Sequence, residues 1–185
     1  MIRFVPALAP CYAPDQSIFA KVRRGMIELE PERPDDAGQV EALFDLCFAP
    51  GREALSSYRL RDGVPPVGDL CLVAREDGTV AGAIRHWEVR VGAARALLLG
   101  PVAVHPTHQG EGLGAWLIRD SVARARALGW ARMMLVGDAP YYGRFGFARL
   151  DGVEMPPPTN PARVLGLALR PGAWDGVTGP VVQAA

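Results

Sequence analysis

Between an almost wholly apolar run, Ala96 to Val104, and an amphipathic run opening at Leu113 lies Gln109-Gly110-Glu111-Gly112-Leu113-Gly114. Glycines at alternate positions leave backbone N–H groups uncovered and permit conformations closed to other residues. They open onto a predicted helix start, where the first amides lack intrahelical partners and the helix dipole favours an anion. The chain must therefore gather a strand end, a glycine turn and a helix N-terminus around one point. That point suits a phosphate or pyrophosphate.

The flanks narrow the ligand. A P-loop needs Gly-Lys-Ser/Thr after its glycines, and none follows. Gly110-Glu-Gly112-Leu-Gly114-Ala115 fits the Rossmann dinucleotide fingerprint in letters, and Asp138 ends the next predicted strand, where a ribose-binding acid would stand. That fingerprint, however, follows its strand immediately and opens its domain. Here five residues, His105 to Gln109, intervene, and a long structured stretch from Met26 precedes. A coenzyme A pyrophosphate also fits, as does a turn with no ligand. The glycines alone leave the choice open.

The strand before the turn adds a second constraint. Its run of apolar residues predicts burial on both faces, yet Gly100 and Pro101 stand at its middle. Proline removes a ladder hydrogen bond, so a bulge or splay is expected there, with backbone groups left for another partner. Elsewhere, periodicity predicts strands over 26–30, 70–75, 79–90, 132–137, 147–150 and 164–169. Helices are expected after Asp35 or Asp36, with Val40, Leu43, Phe44 and Cys47 on one face, then around 52–60, over 113–128 with Gly129 after its end, and briefly over 139–145. Asp77-Gly78 and Gly92 mark hairpin turns. The plan is α/β: helices around one mixed sheet.

The bulk numbers exclude several alternatives. A chain of 185 residues suits one domain, expected over 26–185. Formal net charge is zero, so nothing global points to nucleic acid or an anionic membrane. No apolar run reaches the ~20 residues needed to span a bilayer. Three widely spaced cysteines, Cys11, Cys47 and Cys71, fit free thiols in a reducing cytoplasm rather than a disulfide framework. His105 and His108 are three apart but find no third ligand, so no metal is expected. Residues 1–25 are basic and broken by Pro6, Pro10 and Pro14. They are expected to form a flexible extension rather than a signal peptide.

Read with its flanks, Leu97–Phe147 resembles the GNAT superfamily of acyl-CoA N-acyltransferases. The Gln/Arg-x-x-Gly-x-Gly/Ala motif is matched by Gln109-Gly-Glu-Gly112-Leu-Gly114. It follows a strand ending in Val102-Ala-Val104 and then His105-Pro106. Downstream, Tyr141-Tyr142-Gly-Arg-Phe-Gly146-Phe147 is similar to the Tyr-x-x-x-Gly-Phe signature. The segment from Leu167 resembles one branch of uncharacterised bacterial members. The resemblance implies the GNAT fold, a mostly antiparallel mixed sheet that splays between its fourth and fifth strands, 96–104 and 132–137, with flanking helices. It also implies an N-acetyltransferase that moves acetyl from acetyl-CoA directly to a primary amine of a small molecule or a protein.

The resemblance assigns roles residue by residue. Backbone groups of Val102, Ala103 and Val104 would hold the pantetheine arm like a neighbouring strand. The N–H of Val102 or Ala103 would polarise the thioester carbonyl. The N–H groups of Gly110, Glu111, Gly112, Leu113, Gly114 and Ala115 would take the pyrophosphate, and Gln109 would fix the loop. Tyr142 would be the general acid for the leaving thiolate, with Tyr141 directed elsewhere. The base is not readable: strand 96–104 lacks the carboxylate that some relatives place there, which leaves His86, Glu88, Asp138 or water. The acceptor is expected against residues 48–66, the hairpin 86–95 and the loop after Leu150. A homodimer is left open, as is an acyl-CoA-binding module without turnover.

Overall fold

The computed structural model of the protein describes residues 22–24, 26–48 and 51–184. Most of the expected extension therefore lies outside the described residues. Its last part does not: Val22–Arg24 forms β1, antiparallel to β2 (Ile27–Pro31). The opposite edge of β2 is taken by β3 (Leu72–Glu76). Without β1 the outer edge of β2 would stand open, and an open edge recruits a neighbour. Periodicity could not anticipate this, because the pairing is supplied by β2.

The core is a long antiparallel hairpin. β3 turns into β4 (Thr79–Val91) through Asp77-Gly78, both at positive φ, 48° and 85°. Such dihedrals are what a two-residue hairpin demands. A second tight turn at Gly92 leads into β5 (Ala94–Val104), paired with β4 along nearly its whole length. β5 then adds β6 (Arg132–Val136) in parallel, and β6 adds β9 (Val164–Ala168), which carries the short β7 (Ala148–Arg149) at the edge. The strand order β1-β2-β3-β4-β5-β6-β9-β7 is thus mostly antiparallel. A Rossmann sheet would be mostly parallel.

The strands alternate between two layers. Leu72, Ala74, Leu97, Leu99, Met133 and Leu135 face α3 (Leu113–Ala127), meeting Leu113, Leu117, Ile118, Val122 and Ala125. Leu117 and Ile118 are fully excluded from water, each contributing roughly 1.5–3 kcal/mol. On the other face Val73, Val80, Ala83 and Ala103 meet Val40, Leu43 and Phe44 of α1 (Ala37–Phe48). A short helix, α2 (Ser56–Arg59), follows α1. Asp36 precedes α1 in a 3₁₀ turn and accepts from the Arg33 backbone N–H at 2.9 Å; its other oxygen pairs with Arg75 at 2.6 Å, tying the helix start to β3.

The glycine-rich end of the chain is not all loop. Gly179–Gln183 forms β10, antiparallel to β4 at Val89–Val91 and parallel to β8 (Val153–Glu154). β4 outruns β3, and β10 fills the edge that β3 leaves vacant. No helix among the described residues is long and apolar enough to cross a membrane.

Candidate active site

The expected splay lies between β5 and β6. The two strands pair only at Leu97–Met133 and Leu98–Met134. Beyond that point Ile84 faces Val102 and His86 faces Leu99, so Gly100 and Pro101 stand opposite a single residue of β4. This is the predicted bulge. β5 runs on to Val104 with β4 on one side and no described strand on the other. The Val104 carbonyl accepts from the Gln109 side chain at 3.2 Å and from the Cys47 thiol at 3.4 Å. Gln109 thus ties the loop to the strand end.

The turn itself begins with the His105 backbone N–H donating to the Ala81 carbonyl at 2.8 Å. A 3₁₀ turn over Pro106–His108 follows. Gly110 and Gly112 take φ of 87° and 82°, and a Cβ on either would meet nothing within 4 Å. The glycines are required by backbone conformation, and the space before them is open. Gly112 caps α3 without a side-chain hydrogen bond. The first-turn amides of α3 therefore face this space with no side-chain acceptor, a donor set suited to phosphate oxygens.

The third wall is α4 (Ala139–Gly143), which follows β6. The Tyr142 ring lies close against Gly137; a Cβ there would run into the ring and into the Leu135 side chain, so only glycine allows the approach. Burial pushes the Tyr142 phenol up to about 12, with Tyr141 adding to the rise and Arg163 opposing it. Tyr141 stacks edge-on against Tyr142, with centroids 5.0 Å apart. The expectation that Tyr141 points elsewhere is corrected: its hydroxyl lies 3.4 Å from where a Cβ of Gly114 would stand. The Arg144 guanidinium sits 4.4 Å from the Tyr141 centroid.

These parts enclose one cavity of about 430 Å³. Val102, Val104, Gln109, Gly110, Gly112, Leu113, Gly114, Ala115 and Tyr142 line it, together with His108, Tyr141 and Arg144. Two expected residues do not. Ala103 alternates to the other face and is buried against α1, so only its backbone is available. The Glu111 side chain turns outward, its carboxylate 3.4 Å from His108. Sequence reasoning missed Arg144, although an arginine beside a paired tyrosine near an anion turn was a usable signal.

A larger cavity of about 520 Å³ lies beyond Pro101, lined in part by Arg52, Tyr58, Arg61, Arg85 and Trp87. It covers part of the region expected for the acceptor. A third, of about 130 Å³, shares Arg61 and Pro101 with that cavity, and Val102 and Tyr142 with the first. The splay thus joins the two spaces.

None of the three base candidates lines these cavities. His86 is fully buried, with Nδ1 3.0 Å from the Leu70 carbonyl. Burial brings its pKa down to about 4, partly opposed by that hydrogen bond. Glu88 is bound to Arg95 at 2.5 and 2.9 Å, which holds its carboxyl below the usual range. Asp138 is exposed at the start of α4. Among the described residues no cluster of three or more His, Cys, Asp or Glu could hold a metal.

The Acetyltransferase (GNAT) family matches residues 37–147. The uncharacterised N-acetyltransferase YhbS of Escherichia coli K12 is 33% identical over 120 residues, 63% of this chain and 70% of that protein. Escherichia coli YjhQ, also an uncharacterised N-acetyltransferase, is 29% identical over 121 residues, 63% of this chain and 67% of its own length. The crystal structure of Escherichia coli YhbS in complex with CoA superimposes with a TM-score of 0.73 at 28% identity, covering 84% of this chain and 88% of that one. A GNAT acetyltransferase of Brucella melitensis, solved with acetyl-CoA, gives 0.67 at 33% identity, covering 86% and 96%. With the splayed sheet, the glycine turn at 109–114 and the match over 37–147, the chain belongs to the GNAT acetyltransferase family.

Proposed function

We propose that the protein moves the acetyl group of acetyl-CoA directly to a primary amine. The carrying observation is convergence: the free edge of β5, the glycine turn and Tyr142 line one cavity of about 430 Å³. Two structural relatives bind CoA or acetyl-CoA, which supports the reading.

In this reading the amides of residues 110–115 take the pyrophosphate, with Arg144 at hand for phosphate charge. The edge of Val102–Val104 holds the pantetheine arm, and the N–H of Val102 or Ala103 polarises the acetyl carbonyl. The amine enters by way of Pro101 and attacks that carbon. A C–N bond forms, the C–S bond breaks, and Tyr142 gives its proton to the departing sulfur. The attacking amine loses its proton to solvent, since His86, Glu88 and Asp138 all stand outside the cavity. Binding is favoured by having donors already in place, so little is reorganised as charge develops.

Calorimetric titration with acetyl-CoA, CoA and NADH tests the cofactor. The expected result is binding of both CoA forms and none of NADH. Thiol release from acetyl-CoA in the presence of a panel of primary amines tests the transfer. Binding without amine-dependent release across the panel would leave a holder of acyl-CoA rather than an enzyme.

A further inference from the structure

The cavity beyond Pro101 has an uneven charge pattern. Arg52 is paired with Glu41 at 2.6 Å and Asp45 at 2.7 Å. Arg85 is paired with Glu32 at 2.6 Å and Glu41 at 2.5 Å. Arg61 differs from both. Its guanidinium is held between Tyr58 and Trp87, 4.5 and 4.9 Å from their centroids. Its Nε and Nη1 are buried and donate to no described residue. Burial pushes its pKa down to about 10, with the Tyr58 side chain opposing and Arg52 adding to the fall.

Two aromatic faces solvate part of a cation, but they do not satisfy the N–H groups in its plane. Buried donors without acceptors are costly, and native proteins rarely tolerate them without a reason. The position of this one supplies a reason. Arg61 Nη2 lies 3.7 Å from where a Cβ of Gly100 would stand, at the bulge itself. Arg61 also lines the small cavity that reaches Val102 and Tyr142. The unsatisfied cation therefore stands beside the proposed point of transfer.

We propose that this cavity is the acceptor subsite and that its acceptor is an amine carrying a carboxylate, which the Arg61 guanidinium binds. A planar fork of N–H donors matches a carboxylate better than any other common anionic group except phosphate. Exposed Glu53 and Asp62 also line this cavity and draw a molecule that bears an ammonium group as well; exposed Arg59 lines it too, its guanidinium donating to the Pro157 carbonyl at 3.1 Å. Amino acids and small amino-carboxylates fit; polyamines do not. The proposal rests on the acetyl-transfer reading above.

The test takes the full chain saturated with CoA and titrates it with propionate, benzoate and a mixture of amino acids, each beside its matching amide. The acids are expected to bind saturably, and the amides about 30-fold more weakly or worse, the least that a buried charge without its partner forfeits. Arg61→Met loses acid binding by a similar factor while its affinity for CoA is unchanged. Should that variant fold poorly, Arg61→Lys keeps the charge without the fork and retains only part of the binding. The acid–amide comparison in the wild type stands in either case. Amides that bind as well as acids, or acids that do not bind, overturn the proposal. If CoA itself does not bind, the acetyl-transfer reading falls with it; if CoA binds and acids gain nothing, only the carboxylate assignment falls.

Discussion

Tyr142 is a weak acid in water and a weaker one where it stands, but it keeps its proton in place for the departing thiolate. Burial pushes its phenol up to about 12, so it stays protonated across the neutral and mildly alkaline range. No described residue accepts a hydrogen bond from its hydroxyl. Replacing it with Phe keeps the ring that lies against Gly137 and removes only the hydroxyl. Tyr142→Phe is expected to lower kcat by about 10²-fold or more with little change in affinity for acetyl-CoA. Steady-state kinetics beside calorimetry separate the two; full activity in the variant would remove the acid role. The sign of the pH effect follows from the raised value. A group that must be protonated, with a pKa of about 12, gives no alkaline fall of its own until pH approaches that value. Gly112 makes an opposite kind of demand. Its φ of 82° strains any L-residue, while a Cβ there would meet nothing within 4 Å. Gly112→Ala adds only the strain, on the order of 1–2 kcal/mol. Gly112→Glu adds a like charge to the lining of the cavity in which an anion must sit, and its CoA affinity is expected to fall well below that of the Ala variant in the same calorimetric titration.

At the level of elements, the β4–β5 hairpin does most to build the site, and much of it was readable. The Asp77-Gly78 turn, the doubly buried 96–104 run and the Gly-Pro interruption each have a local cause, so each could be read locally. What β4 does with its own polar residues could not. His86 and Glu88 look equivalent by alternation, yet one is fully buried and the other paired with Arg95 at the surface. The difference arises because Leu70 approaches over His86 from a turn sixteen residues earlier. A buried imidazole has a consequence for stability. Its pKa of about 4 lies below the 6.5 of an unperturbed histidine, so the stability it contributes is present above pH 6.5 and is lost as pH falls through 4. Urea unfolding at pH 7 and near pH 4 is expected to show that loss, and His86→Asn, which cannot take up the proton, is expected to show less of it. Equal acid sensitivity in both proteins would mean that the protonation lies elsewhere.

The whole molecule is where sequence reading ran out, and the reason is physical. β1 and β10 are short, and neither carries a periodicity of its own. They exist because β2 and β4 leave edges that another segment can fill, and such edges appear only once the sheet is assembled. The unpaired state of Arg61 could not be read from the sequence in the same way: Glu32, Glu41 and Asp45 are taken up by Arg52 and Arg85, a pairing that only the assembled fold sets. β10 also ties Gly179–Gln183 into the sheet, with Val181 as its buried residue. Val181 is 3% exposed and packs with Trp87, Val89, Leu98 and Met134 on the face of the sheet turned away from α3. Val181→Asp places an unpaired charge in that cluster and is expected to cost roughly 3–5 kcal/mol, the range for a buried charge without a partner. Val181→Ala removes only methyl groups and is expected to cost less. Urea denaturation reads both. The cavity behind the glycine turn has no wall from β10, so folded Val181→Ala should bind CoA as the wild type does. An unchanged midpoint in Val181→Asp would mean that β10 folds apart from the sheet, whereas a lowered midpoint with wild-type CoA affinity in Val181→Ala would place β10 in the core's stability and outside its chemistry.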